Sequence, residues 1–221
     1  MHPKGEAGRG ALERPTFAEE ERLWQAGFRA VAGLDEAGRG ALAGPVVAAA
    51  VIPPPYARRE GVWAQVQDSK LLTPGERSAL VEAIQAAALA WAIGSASAIE
   101  IDHMGIGPAT RLAMRRAVEA LSPRPDYLLL DWVQLTTVNI HQESFTKGDR
   151  RIVSIAAASI LAKTHRDRLL VELDRLHPDY GFAQHKGYGT AAHLEALRRH
   201  GPCPEHRHSF APLRTQRTLW E

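Results

Sequence analysis

Leu34-Asp35-Glu36-Ala37-Gly38-Arg39-Gly40 decides how this chain is read. It follows the apolar run Ala30-Val31-Ala32-Gly33-Leu34 and precedes a second one, Val46 to Ile52, that Pro53-Pro54-Pro55 stops. The two Val/Ala-rich runs predict strands over 29–35 and 46–52, joined by the Gly-Arg-Gly segment. Two adjacent carboxylates at the end of a buried strand are costly unless a cation or hydrogen bonds compensate them. Glycines let backbone approach another molecule closely, and arginine grips phosphate with a forked set of donors. The segment therefore suggests a site for a divalent metal and a nucleic-acid backbone.

Outward from this point, Thr16-x-x-Glu19 reads as a capping box opening a helix to about Ala26, and Thr73-Pro74-x-Glu76 as another opening a helix to about Leu89. Trp91 to Ala98 predicts a third strand, and a helix with Pro108 in its first turn runs to about Leu121. Tyr127-Leu128-Leu129-Leu130-Asp131 is a short apolar run ending in an acid, which suits a central strand whose C-terminal end borders a site. A weaker strand covers about 137–145. Ile152 to Leu176 reads as one long helix, Ala-rich in its first half, and Thr190 to Arg199 as a further helix. Strands in a hairpin followed by alternating helices and strands predict an α/β fold, a mixed sheet flanked by helices. The C-terminal helices form a small extension of about 177–221 on a core of about 28–176. The expected organisation is a single domain over 15–221 behind a flexible N-terminal segment, 1–14.

With 221 residues, 45% hydrophobic and 24% charged, the chain has the composition of an ordinary globular protein. A single cysteine, Cys203, excludes an intramolecular disulfide and points to a reducing, cytoplasmic setting. The polar, Gly-rich start carries no secretory signal, and no apolar run is long enough to cross a membrane. The net charge of +2 hides an asymmetry: −3 up to Asp149, +5 from Arg150 onward, where 7 of the 10 histidines also lie. A basic C-terminal part on an acidic core fits a nucleic-acid partner, although a solvated surface explains it equally well.

Four acids sit at special positions: Asp35 and Glu36 at one strand end, Asp131 at another, and Asp149 just before the long helix. An all-oxygen ligand set suits Mg²⁺ or Mn²⁺, and two such ions suit phosphodiester hydrolysis. Arg39, Lys147, Arg150 and Arg151 stand nearby to neutralise phosphates. Plainer roles stay open: Asp149 can cap the helix and Asp131 can close its strand with a backbone hydrogen bond. Asp68 and Asp126 read as turn or surface acids. Cys203-x-x-His206-x-His208 lacks the paired spacing of a zinc site. Trp63 and Trp132 fall in loops, where packing is the default expectation.

Several blocks, in order, resemble bacterial ribonuclease HII: Gly33 to Ile52, Asp68-Ser69-Lys70-Leu71-Leu72, Lys147-Gly148-Asp149, Ile155 to Lys163 with Arg166-Asp167, His185 to Thr190, and His208-Ser209-Phe210. The resemblance spans about 17–213. It implies a ribonuclease H-like fold with a C-terminal helical extension. It also implies endonucleolytic cleavage of RNA in RNA–DNA hybrids and incision 5′ of ribonucleotides embedded in duplex DNA, leaving 3′-hydroxyl and 5′-phosphate ends. By motif, Asp35, Glu36, Asp131 and Asp149 map onto the metal-binding acids. Gly38, Arg39 and Gly40 map onto the motif that reads the ribonucleotide 2′-hydroxyl, the group that distinguishes RNA from DNA. Tyr188 maps onto a tyrosine packed against the next, deoxy sugar, and Ser69 and Lys70 onto backbone or phosphate contacts. The implied cofactor is Mn²⁺ or Mg²⁺, in a two-metal arrangement, and the implied state is a cytoplasmic monomer. One departure stands out: Trp132 follows Asp131 where the family usually has glycine. That change lends some support to a competing reading, a hybrid-binding protein without catalysis.

Overall fold

The computed structural model describes residues 14–67 and 72–216. Its centre is a five-stranded mixed sheet in the order β3-β2-β1-β4-β5. The strands are β1 (Val31–Ala37), β2 (Val46–Ile52), β3 (Ala90–Ala96), β4 (Tyr127–Asp131) and β5 (His141–Phe145). β1 to β3 form an antiparallel meander, whereas β4 lies parallel to β1 and β5 parallel to β4.

Both faces of the sheet are covered, which is why β1, β2 and β4 read as unbroken apolar runs. On one face, Val31, Ala49, Val51 and Leu129 meet the helices α1 (Ala18–Gln25), α3 (Pro74–Ala87) and α6 (Val153–Leu176). On the other, Ala32, Leu34, Ala48, Ala50, Leu128 and Leu130 meet α4 (Ala98–Met104) and α5 (Ile106–Glu119). This alternation is the period-2 geometry of a strand. The first half of α6 is small-residue-rich because it lies almost against the sheet. A Cβ on Gly33 would sit 2.2 Å from the Ser154 carbonyl carbon, so only glycine permits that approach.

The C-terminal residues form a third apolar cluster around Leu170, Tyr180, Phe182 and Leu197, built largely by α8 (Ala191–His200) and the short α7 (Phe182–His185). Leu42 and Ala43, just beyond the Gly-Arg-Gly turn, are part of it. Backbone bonds fasten the two together: Leu42 N–H to Gly187 O, Gly44 N–H to Glu205 O, and Arg207 N–H to Leu42 O, all 2.8 Å.

Several boundaries differ from the sequence expectation. Thr16 makes no capping box. α1 starts at Ala18 with Phe17 at its N-cap, while the Thr16 backbone bridges to Ile152 and Glu19 pairs with Arg22 at 3.0 Å. Tertiary pairing of the Thr16 backbone overrides the local cap. The box at Thr73 and Glu76 is formed. A second box, Ser97 with Glu100, opens α4, a helix that the strand predicted up to Ala98 concealed. β1 runs on to Ala37, so Asp35 and Glu36 lie within the strand, not at its tip. The weak strand over 137–145 shrinks to His141–Phe145.

Candidate active site

Strand register brings the first acids together. Leu34 of β1 is paired with Leu130 of β4, so Asp35 and Asp131, one residue on, lie side by side on parallel strands. Asp149 arrives from the 3₁₀ turn Gly148–Arg150, which leads into α6, the helix packed directly on β1. The Gly148 N–H donates to Asp131 Oδ1 at 2.9 Å and ties that turn to the end of β4. Asp35, Glu36, Asp131 and Asp149 line one cleft of about 470 Å³. Gly38, Arg39, Gly40 and Tyr188 line the same cleft.

The environment of the acids is strongly polarised. Asp35 and Asp149 are buried, at 6% and 4% exposure. Burial, and then the neighbouring Glu36 charge, hold the Asp35 carboxyl well above the usual carboxylate range, against a hydrogen bond from Ser159. Burial raises Glu36 to about 7, although the Trp132 indole and Arg39 favour its charged form. Acids placed so that protons are retained lack sufficient positive charge nearby. A divalent cation would supply what is missing, and an oxygen-only donor set is the chemistry that suits Mg²⁺ or Mn²⁺. Among the described residues, no three His, Cys, Asp or Glu side chains stand close enough together to hold a metal ion as they are placed.

The Gly-Arg-Gly turn is shaped from beneath. Arg166 of α6 donates to Pro45 O (3.0 Å), Ala43 O (3.0 Å) and Lys186 O (2.9 Å). Gly38 has φ +92°, and a Cβ there would lie 1.9 Å from Arg166 Nε, so glycine is required on both counts. Tyr188 is partly exposed, with Lys163 Nζ 5.6 Å from its ring centroid.

Three polar cleft residues were missed as site residues in the sequence reading: Arg77, Ser159 and Lys163. Ser159 and Lys163 lie one helical turn apart on α6, a spacing that marks one face once the helix is known to border the site. Arg77 belongs to α3, far away in sequence, and carried no signal. Lys147 does not line the cleft; it occupies a left-handed conformation, φ +56°, at the start of the 3₁₀ turn. Ser69, Lys70 and Asp68 lie outside the described residues. Asp126 is structural, accepting the N–H groups of Arg29 (2.7 Å) and Ala30 (3.0 Å). Trp63 lies in a short helix, α2 (Val62–Gln65), and packs edge-on against Phe17. Trp132 does not pack into the core. It is 39% exposed and contacts Glu36 and Arg39.

The C-terminal histidines form a buried chain. His193 Nδ1 lies 3.0 Å from Tyr188 O, so it donates to that carbonyl and leaves Nε2 as an acceptor. His206 Nε2, 3.0 Å away, must then be the donor, and His206 Nδ1 accepts from the Cys203 N–H at 3.0 Å. Both rings are neutral in this arrangement.

A mixed sheet with three antiparallel and two parallel strands, acids on its central parallel pair and a basic rim defines a ribonuclease H-like nuclease. The family model for ribonuclease HII matches residues 32–213. The chain is 52% identical over 202 residues to ribonuclease HII of Dehalococcoides mccartyi, covering 91% of this chain and 95% of that protein. It is 55% identical over 200 residues to ribonuclease HII of Roseiflexus castenholzii, covering 90% and 89%. The crystal structure of ribonuclease H2 from Pyrococcus horikoshii OT3 superposes with a TM-score of 0.73 at 25% identity, over 86% of this chain and 99% of that one. The chain belongs to the ribonuclease HII family, and with that membership goes endonucleolytic ribonuclease H activity on RNA–DNA hybrids.

Proposed function

We propose that this enzyme is a metal-dependent endoribonuclease that cleaves RNA in RNA–DNA hybrids and incises 5′ of single ribonucleotides in duplex DNA, leaving 3′-hydroxyl and 5′-phosphate ends. The observation that carries the reading is the shared cleft of Asp35, Glu36, Asp131 and Asp149, rimmed by Arg39, Arg77 and Lys163. Asp35, Glu36, Asp131 and Asp149 would hold two Mg²⁺ or Mn²⁺ ions. Held by these four carboxylates, such ions would supply activation of a water for in-line attack and stabilisation of the departing 3′-oxygen. Arg39 and Lys163 meet the phosphates as fixed positive charges. Backbone groups of Gly38, Arg39 and Gly40 read the 2′-hydroxyl, which only a ribonucleotide presents. Tyr188 presents its ring to the sugar of the following deoxynucleotide. Ser69 and Lys70 add backbone or phosphate contacts, and Lys147, outside the cleft lining, neutralises phosphate. No protein nucleophile takes part. The working unit in this reading is a monomer, residues 15–221 acting as one domain in the cytoplasm. Among the described residues, no helix is long and apolar enough to cross a membrane.

The test is a gel assay with one ribonucleotide in a DNA duplex, with Mg²⁺, with Mn²⁺, or with EDTA. A metal-dependent nick immediately 5′ of the ribonucleotide is the expected result. Binding without a nick under any metal condition would overturn the reading in favour of a silent hybrid-binding protein.

A further inference from the structure

Trp132 combines an unfavourable backbone with two contacts that point into the cleft. Its φ is +54°, a left-handed conformation that is unfavourable for a bulky residue and persists only where the surroundings enforce it. Its N–H is held by Phe145 O at 3.0 Å, continuing the β4–β5 pairing one residue past the strand. Its indole Nε1–H lies 3.1 Å from Glu36 Oε1 and 3.2 Å from Oε2, so the donor straddles the carboxylate. The Arg39 guanidinium carbon stands 3.9 Å from the ring centroid, and Arg39 Nη1 is 3.8 Å from Glu36 Oε1. Carboxylate, indole and guanidinium thus close a ring of three mutual contacts.

Each contact removes a freedom. A carboxylate held by one donor across both oxygens has its plane fixed and its other lone pairs free for a cation. An arginine stacked flat on an aromatic face loses much of its rotamer range while its fork of N–H donors stays available. The aromatic residue at 132 therefore does what no side chain could do from a glycine at this position. We propose that Trp132 is a positioning residue: its indole N–H orients Glu36 toward a divalent cation, and its ring face holds Arg39 for a substrate phosphate. The inference rests on the reading of the cleft as a metal site.

The two contacts are separable by substitution. Trp132→Phe keeps the ring and loses the donor. Trp132→Gly loses both and relieves the left-handed backbone. Trp132→His restores a ring N–H in a residue type that tolerates φ above zero. The readouts are Mn²⁺ affinity of the full chain by titration calorimetry, and affinity in EDTA for a duplex carrying one ribonucleotide. Trp132→Phe is expected to weaken Mn²⁺ binding about 10-fold, as loss of a group that orients a ligand typically does, with duplex affinity nearly unchanged. Trp132→Gly should weaken both while raising Tm, and Trp132→His should recover part of the Mn²⁺ affinity. Mn²⁺ binding by Trp132→Phe within twofold of wild type would overturn the inference. A wild-type chain that binds no Mn²⁺ would instead bring down the metal reading beneath it.

Discussion

Two regions of this molecule bury charged and polar side chains, and they treat them in opposite ways. In the C-terminal part, Arg207 is buried with its donors on Gly44 O (3.0 and 2.8 Å) and Arg39 O (2.9 Å). Arg166 is fully buried on three further carbonyls, and His193 and His206 complete a chain of donors and acceptors from Tyr188 to Cys203. Both guanidiniums are hydrogen-bonded by carbonyls of the chain, although burial still lowers Arg166 and holds Arg207 at about 9. In the cleft, Asp35 and Glu36 stand near Asp131, and burial first, then neighbouring negative charge, holds their carboxyls above the ordinary range. A buried polar group satisfied by its own chain is architecture; one that repels its neighbours waits for something from outside. The first region also serves the second, since Arg166 and Arg207 grip the loop that presents Gly38 to Gly40.

That contrast is broken most forcefully at Asp35. Asp35→Asn should lower the nicking rate on the order of 10³-fold, which is the loss of about 4 kcal/mol of transition-state stabilisation. Its Tm should stay at or above the wild-type value, because a neutral amide removes the cost of burying a charge there and, secondarily, the repulsion with Glu36. Near-normal turnover would remove Asp35 from the machinery. Arg207→Met tests the other region and should show the reverse pattern in urea unfolding. Losing the donors to Gly44 O and Arg39 O should cost about 3 kcal/mol of stability, with any loss of activity following from the displaced loop.

Glu20 sharpens the comparison because it stands between the two types. It is fully buried; its Oε1 accepts the Ser154 N–H at 2.8 Å at the start of α6, while Oε2 has no partner among the described residues. Burial raises its carboxyl to about 7. Its folded value lies above the unfolded one, so its contribution is complete below about pH 4.5 and is lost as pH rises through 7. Glu20→Gln should therefore gain about 2 kcal/mol relative to wild type at pH 8 and little at pH 4.5, read from urea midpoints. The smallest effect is expected at the histidine pair. Burial lowers His206 to about 4, so its contribution is complete above the unfolded value near 6.5 and is lost as pH falls through 4. His206→Gln should be less stable at pH 7, by about 1 kcal/mol, yet lose less between pH 6.5 and 4. A wild-type stability that is flat over that window would refute the neutral-pair assignment.

Much of the fold was legible because its signals are local. The Val/Ala runs of β1 and β2, the Leu run before Asp131 and the box at Thr73 each lie within a dozen residues and specify their elements. The α4 helix was missed because its own box follows directly on a strand. Thr16 misled because its backbone bonds to Arg151 and Val153 on either side of Ile152, partners that no local window contains. Within the site, Asp35 and Glu36 announced themselves by adjacency. Arg77 and Lys163 did not, since a cation on a helix is ordinary until the helix is seen beside the acids.

The sequence alone determined that this chain carries strands, capped helices, a tight glycine turn and unusually placed acids, and its ordered blocks supplied the family. Only the tertiary structure decided that Asp35 stands beside Asp131, that Arg166 fills the space under Gly38, and that Trp132 bridges Glu36 and Arg39. Periodicity and capping act over one or two turns of chain. Convergence depends on the parallel register of β1 with β4 and on the docking of α6, contacts between segments about a hundred residues apart, and no short stretch of sequence encodes them.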